Sequence, residues 1–502
     1  MSSHGPRADV PGKGSEVGAP HDPRRARPDS PASALLDALR AAIGAAHVLV
    51  GEEVRARATH FWDPAPLAAG ALVRPGSTAE VSAVLALCHA AGQPLVTHGG
   101  VTGLVGGDRA DSGDVVLSLE RLRAIEAIDP VGRTITVEAG CPLERVQEAA
   151  REAGLQFGLD LGARGSCTIG GNVSTNAGGL SVLRHGMMRE QVLGLEAVLA
   201  DGTVLSSMNR MLKNNAGYDL KQLFIGSEGT LGVVTRAVLR LRPATTSVQT
   251  ALVACERFGQ VSDLLARVGH AFGGTLNAFE VLWRPFYRLN TDPAHEGSVA
   301  APLDRDHPIY AIVESRGTDP ARDAQVFEET LAGALEDGLI VDAAIPQSER
   351  ERADVWHVRE HIDIALRHDP VFVYDVSLPI VEMERYLEAV EESVRARWAD
   401  AVFLAYGHLA DGNLHVLVAP RPMGAPTDDL DARTIDAWHA ESDERVYAPL
   451  EAIGGSVSAE HGIGLSKKAH LARSRGATEI ALMRRLKETL DPAGILNPGK
   501  IV

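Results

Sequence analysis

Apolar and polar positions set out the first half of the chain. Residues 71–74 form a short apolar run, Val81, Val84, Leu85 and Leu87 recur at helical spacing, and residues 94–97 are apolar again. The pattern predicts strand, helix, strand. Three more strand-like runs follow at 115–119, 125–129 and 134–138. The gaps between them are too short for crossover helices, so antiparallel or mixed sheet is expected rather than a doubly wound repeat. Past Arg242-Pro243 the glycines thin out, and helical patterns appear near 322–335 and 380–398, where a second domain is expected. From about Ser458 the glycines return, and the chain ends in the turn Asn497-Pro498-Gly499-Lys500, expected to pack back on the first domain. Residues 1–30 are rich in Gly, Pro, Ser and charge and are expected to be a disordered leader. The expected division is therefore 1–30, 31–245, 246–457 and 458–502.

A length of 502 residues leaves room for two or three domains with sizeable cores. With 49 Lys and Arg against 66 Asp and Glu, the net charge is −17. Such a molecule lacks the basic footprint of a nucleic-acid binder, and anionic membranes are poor partners for it. Cys88, Cys141, Cys167 and Cys255 are too scattered for a chelate or a disulfide framework. There is no apolar run of about eighteen residues and no secretory h-region. A cytoplasmic protein without a transmembrane segment is expected.

Three glycine clusters stand out, at 98–107, 162–179 and 225–232. None contains G-x-G-x-x-G, so the nicotinamide fingerprint is absent. Taken singly, each reads as a tight turn. Together, with interleaved Thr102, Ser166, Thr168, Ser174 and Thr175, they offer backbone and hydroxyl donors to a large dinucleotide. The terminal 494–500 imitates a phosphate-loop spacing, but Ile501 replaces the metal-binding hydroxyl and no helix can follow.

The run 402–408 leads through Asp411-Gly412 into 413–418. Asp-Gly between apolar β-type runs signals a hairpin, and a two-residue loop would set His408 opposite His415. Cβ atoms so paired lie roughly 4.5–5.5 Å apart, close enough to share a divalent metal. The stretch 458–464 adds Glu460 beside His461. Two His and one Glu with open positions suit a catalytic metal site, and a hairpin with hydrogen-bonded histidines is the alternative.

Taken with these residues, the stretches 98–107, 159–179 (LDLGARGSCTIGGNVSTNAGG), 212–235 (LKNNAGYDLKQLFIGSEGTLGVVT), 407–415 (GHLADGNLH), 458–464 (SAEHGIG) and 496–502 make the chain resemble a known family. It is similar to the FAD-linked D-2-hydroxyacid dehydrogenases of the vanillyl-alcohol oxidase and p-cresol methylhydroxylase superfamily, most of all the D-2-hydroxyglutarate dehydrogenase branch. The resemblance implies an α+β protein. A two-subdomain FAD-binding domain is followed by an antiparallel-sheet substrate domain, and a C-terminal segment returns to the FAD domain.

It further implies non-covalent FAD held by His98, Gly99, Gly100, Val101, Thr102, Gly103, Leu104, Gly165, Ser166, Ile169, Gly170, Gly171, Asn172, Thr175, Asn176, Gly178, Gly179, Glu228, Gly229, Gly232, Val233 and Asn497. His408, His415 and Glu460 become ligands of a divalent metal, expected to be zinc. His461 becomes the general base, Arg359 the binder of the substrate carboxylate, and Asn413 a further catalytic residue within the metal loop. The implied partners are a D-2-hydroxy acid, and an electron-transfer flavoprotein or quinone as acceptor, with a homodimer as the assembly. D-2-hydroxyglutarate is the first substrate and D-lactate the second. A silent flavin or metal binder and an oxygen-using oxidase are the rival readings. Two positions depart from the branch: Val373 stands where a lysine precedes Tyr374-Asp375, and Leu417 where an asparagine follows the second ligand histidine. Both family residues are associated with substrate contacts, so the departures favour a shorter or more apolar acid unless Arg367 or His368 compensates.

Overall fold

Parallel strand pairing among the described residues is confined to the first sheet, which is mixed. The computed structural model describes residues 29–60, 64–426 and 430–502, so nearly all of the expected leader lies outside the described residues. The first sheet contains β1 (Val48–Val50), β2 (Ala71–Val73), β3 (Leu95–His98) and β4 (Val115–Ser118) in the order β1-β2-β4-β3. The helix Thr78–Ala91 carries the chain from β2 towards β3, and both β2 and β3 run parallel to β4. Ser77 starts this helix by accepting a hydrogen bond from the Glu80 N–H, and Gly92 ends it in the left-handed region at φ 60°.

Pairing in the second sheet is antiparallel throughout. The second sheet holds β5 (Ile125–Asp129), β6 (Thr134–Glu138), β7 (Leu155–Phe157), β8 (Val192–Val198), β9 (Val204–Ser207) and β10 (Val233–Pro243), in the order β5-β6-β10-β8-β9 with β7 also on β10. Side chains of both sheets and of the helix Thr78–Ala91 share one core, including Val81, Leu117, Ile135, Leu195 and Ala237. Ile495 and Leu496 enter the same core. Leu95 N–H donates to Ile495 O at 2.7 Å and Asn497 N–H to Leu95 O at 2.8 Å, so the chain's end runs beside the first sheet.

The third sheet is antiparallel throughout and contains β11 (Ser247–Cys255), β12 (Leu276–Trp283), β13 (Ile309–Gly317), β14 (Asp342–Ala344), β15 (Phe372–Ser377), β16 (Val402–His408) and β17 (Asn413–Ala419). Their order is β14-β11-β13-β12-β16-β17-β15. One face packs into a core with the helices Phe258–Phe272, Pro320–Glu336 and Met383–Arg397. The other face packs against the helices Arg284–Asn290 and Glu349–Glu360 and carries the site.

Candidate functional site

Alternation places every second residue of β12, β16, β17 and β15 on one face. Across those strands the register aligns Leu282, Tyr406, His415 and Asp375 in one row. Two residues along, Glu280 pairs with His408 and Asn413 with Ser377. In the opposite direction the next row is Leu404, Leu417 and Val373.

The hairpin differs from the expected one. Asp411-Gly412 is not a two-residue loop; Leu409–Asp411 forms a turn of 3-10 helix, Leu409 is fully buried, and Gly412 follows at φ 83°. Seating Leu409 in the core lengthens the turn, so His415 pairs with Tyr406 and not with His408. A slip of two residues keeps both imidazoles on one face. Their ring centroids are 5.5 Å apart.

The loop after Gly455 brings Glu460 and His461 over this face. Glu460 Oε1 lies 3.7 Å from His415 Nε2 and 3.8 Å from His408 Nε2. These separations exceed a hydrogen bond and are close to the edge of a coordination polyhedron with arms of about 2.1 Å. A compact group of donors is formed by Asp375, His415, Glu460 and His461, with His408 at its edge. Asp375 is already engaged, since its Oδ2 accepts the N–H groups of Ala459, Glu460 and His461 at 3.0–3.1 Å and its Oδ1 accepts Asn413 Nδ2 at 2.9 Å. Despite burial, His461 and Lys467 hold its carboxyl far below the usual range. Asp375 therefore shapes the loop that presents Glu460 and His461, and Asn413 orients Asp375 rather than facing the cleft.

Arg359, at the end of the helix Glu349–Glu360, reaches the same place. Its Nε donates to Glu280 Oε2 at 2.8 Å, its guanidinium stacks 4.5 Å above Tyr406, and Nη2 is 3.2 Å from His408 Nε2. Glu280 Oε1 is 2.8 Å from His408 Nδ1. Burial lowers His415 to about 3, so its imidazole is neutral at ordinary pH. Burial also opposes charge on His408, but Glu280 and Glu460 outweigh it and push this imidazole up. Glu280, Asp375 and Glu460 carry three negative charges and Arg359 and Lys467 two positive ones, so the cluster is one cation short. A proton on His408 balances it, whereas a divalent ion in place of that proton would leave one positive charge, and the donor set fits such an ion.

A cleft of about 430 Å³ extends from this cluster into the first domain. Its wall holds Gly99, Gly100, Val101, Thr102, Gly103, Leu104, Gly170, Gly171, Asn172, Thr175, Gly178, Gly179, Glu228, Gly229, Gly232, Val233 and Asn497, together with Arg359, His408, His415, Glu460 and His461. At Gly100 a Cβ would stand 2.1 Å from Ser166 O, and at Gly179 (φ 106°) 2.1 Å from Asp160 O. Glycine is needed there for the backbone to form the cradle. Thr97 Oγ1 and Thr168 Oγ1 are buried on this wall without a protein partner, as donors awaiting a ligand would be. A glycine-lined groove with unused hydroxyls fits a dinucleotide.

Five of the expected cofactor residues stand behind the wall. His98 is buried with Nε2 on Asp108 O at 2.8 Å, and Ile169 packs in the core. Asn176 ends a short helix at φ 52° and accepts the Arg189 N–H. Gly165 lies beside Glu144, and the Ser166 carbonyl abuts Gly100. Leu417 is buried in the core, Val373 faces the cleft, Arg367 donates to Glu296 O, and His368 lines a separate cavity.

Sequence reading missed Glu280, Tyr406 and Lys467 and treated Asp375 only as a marker. For Glu280 a signal existed, a lone acid inside the apolar strand LNAFEVLW. A buried charge in such a strand requires a partner.

Comparison with known proteins agrees with this geometry. Residues 69–207 match the FAD binding domain model, and residues 244–501 match the model described as FAD linked oxidases, C-terminal domain. The chain is 40% identical to the D-2-hydroxyglutarate dehydrogenase of Xanthomonas citri pv. viticola, over 88% of this chain and 90% of that protein. It is also 40% identical to the mitochondrial D-2-hydroxyglutarate dehydrogenase of Bos taurus, over 86% of this chain and 76% of the other. Among solved structures, p-cresol methylhydroxylase with substrate bound shares the fold at TM-score 0.71 and 16% identity, covering 93% of this chain and 96% of that one. The 4-ethylphenol oxidase of Gulosibacter chungangensis does so at TM-score 0.69 and 19% identity, over 93% and 96%. With two models matched in tandem and relatives aligned along most of their length, the chain belongs to the FAD-linked oxidases, beside the D-2-hydroxyglutarate dehydrogenases.

Proposed function

We propose that this chain oxidises a D-2-hydroxy acid to the 2-oxo acid, with D-2-hydroxyglutarate, the acid in its relatives' names, as a substrate. The observation that carries the reading is the continuity of one cleft from the glycine cradle to the cluster of His408, His415, Glu460, His461 and Arg359. When bound, FAD supplies the two-electron acceptor and a divalent metal such as Zn²⁺ supplies the charge that acidifies the substrate hydroxyl. His408, His415 and Glu460 would hold the metal. Arg359, fixed by Glu280 and Tyr406, keeps the N–H groups not directed at Glu280 or His408 for the substrate carboxylate. His461 takes the hydroxyl proton. Non-covalent FAD follows from Val101, not a histidine, after Gly99-Gly100, and from His98 being turned behind the wall. Electrons would leave to an electron-transfer flavoprotein or a quinone.

Turnover of a panel of D- and L-2-hydroxy acids with an artificial electron acceptor tests the reading. Only the D series should reduce the flavin, and a chelator should abolish turnover until Zn²⁺ is returned. His415→Ala should purify yellow, metal-free and inactive. Full activity after exhaustive chelation would remove the metal assignment, and failure of every D-2-hydroxy acid would remove the reaction.

A further inference from the structure

We propose that the side-chain end of the cleft accepts uncharged D-2-hydroxy acids, so that monocarboxylates are oxidised at least as well as D-2-hydroxyglutarate. The inference rests on the reaction proposed above and adds the chemistry of the substrate's side chain. The sheet register supplies the argument. One row past His415 and Asp375 stand Leu404, Leu417 and Val373. All three are apolar. Two residues along a strand are about 6.6 Å, so a side chain extending from the cluster in that direction meets this row. Leu417 and Leu404 are 1% and 3% exposed and lie in the core off the cleft wall, while Val373 is 41% exposed and faces the cleft.

A second carboxylate arriving there would need a cation. Among the described cleft-wall residues the only guanidinium or ammonium is that of Arg359, which is tied to Glu280 and serves the first carboxylate. Nearby cations are engaged elsewhere. Arg164 pairs with Asp160 at 3.3 Å and donates to Leu161 O, Arg367 donates to Glu296 O, and Lys467 is held by Asp375. The wall residue beside Arg359 is Glu360, another acid. A distal carboxylate would thus arrive beside valine with no cation on the wall to meet it, whereas a methyl or ethyl group needs none.

The experiment compares kcat/KM of the FAD- and metal-loaded enzyme for D-lactate, D-2-hydroxybutyrate and D-2-hydroxyglutarate. In parallel, 2-oxobutyrate and 2-oxoglutarate are titrated into the oxidised enzyme and followed through the flavin spectrum. At least one monocarboxylate should equal or exceed the dicarboxylate in kcat/KM, and 2-oxobutyrate should bind at least as tightly as 2-oxoglutarate. Val373→Lys, at a half-exposed position that tolerates a long side chain, should shift the ratio towards the dicarboxylate by tenfold or more, chiefly through KM. Should that variant not fold, the native panel and titrations decide alone. A native preference of tenfold or more for D-2-hydroxyglutarate overturns the inference and leaves the proposed reaction standing. If no acid is turned over, the reaction falls and the titrations still decide which side chain the cleft accepts.

Discussion

Glu280 is the residue on which the site's electrostatics turn. Its two oxygens hold Arg359 and His408 at 2.8 Å each, from a position that is 1% exposed. Burial raises its carboxyl, but His408 and Arg359 outweigh burial and keep it ionised. The contact to Nδ1 fixes the ring and turns His408 Nε2 towards Arg359 Nη2 and Glu460. Glu280→Gln removes the charge and replaces an acceptor by a donor, so metal affinity should fall about 10- to 100-fold while FAD content is unchanged. Competition with a chromophoric chelator measures this. An unaltered metal Kd would show that Glu280 does not support the ligand. The sequence contained the anomaly, an acid amid apolar neighbours, but not its partners, which lie 79 and 128 residues away.

At the scale of elements, Glu196 on β8 ties the layers of the first domain together. It accepts hydrogen bonds from Thr78 Oγ1 at 2.7 Å, Ser206 Oγ at 3.0 Å and Thr235 Oγ1 at 3.2 Å, and pairs with Arg236 at 3.3 Å. Burial raises its carboxyl, yet these partners bring it below the ordinary glutamate value. Glu196→Ala should cost about 2–3 kcal/mol at neutral pH. The sign follows from the lowered folded value. The ionised form contributes above the unfolded pKa of about 4.3, and that stability is lost as pH falls through the folded value. Urea unfolding at pH 7 and below pH 4 checks it: the gap between wild type and variant should narrow in acid, and a gap independent of pH refutes the assignment. Periodicity, which is local, made β2 to β6, β16 and β17 readable, with the helices Pro320–Glu336 and Met383–Arg397, while ten other described strands and the helices Phe258–Phe272 and Ala432–Ala452 were not read. The register between β16 and β17 was not readable, because the buried Leu409 and the 3-10 turn, rather than the Asp-Gly pair, fix the loop length.

For the whole molecule, the last residues join what the chain order separates. Asn497 lies on the cleft wall, accepts Thr97 N–H at 2.9 Å and donates to Glu228 O at 2.6 Å. Glu228 in turn accepts the N–H groups of Ile463 and Gly464, at 2.7 and 2.8 Å, beside the metal loop. One chain of contacts therefore runs from the first sheet through the C-terminus to the cluster. Asn497→Ala should weaken FAD binding by about tenfold, the effect of ~1.4 kcal/mol, by releasing two partners on the cleft wall. Quenching of flavin fluorescence gives the Kd, and a change of less than twofold would exclude the role.

What the sequence by itself determined is the set of parts: the glycine clusters, the paired histidines, Glu460-His461 and the alternation of strands. Each depends on residue type and short spacing within one contiguous stretch, and such signals survive without a fold. Tertiary structure decided that Tyr406 and not His408 faces His415, and that Asn413 orients Asp375. It also decided that Arg359 and His408 share Glu280, and that Val373 alone of its apolar row opens to the cleft. These are relations between strands distant in sequence. They are set by register and by the need to compensate each buried charge, neither of which any single stretch of the chain encodes.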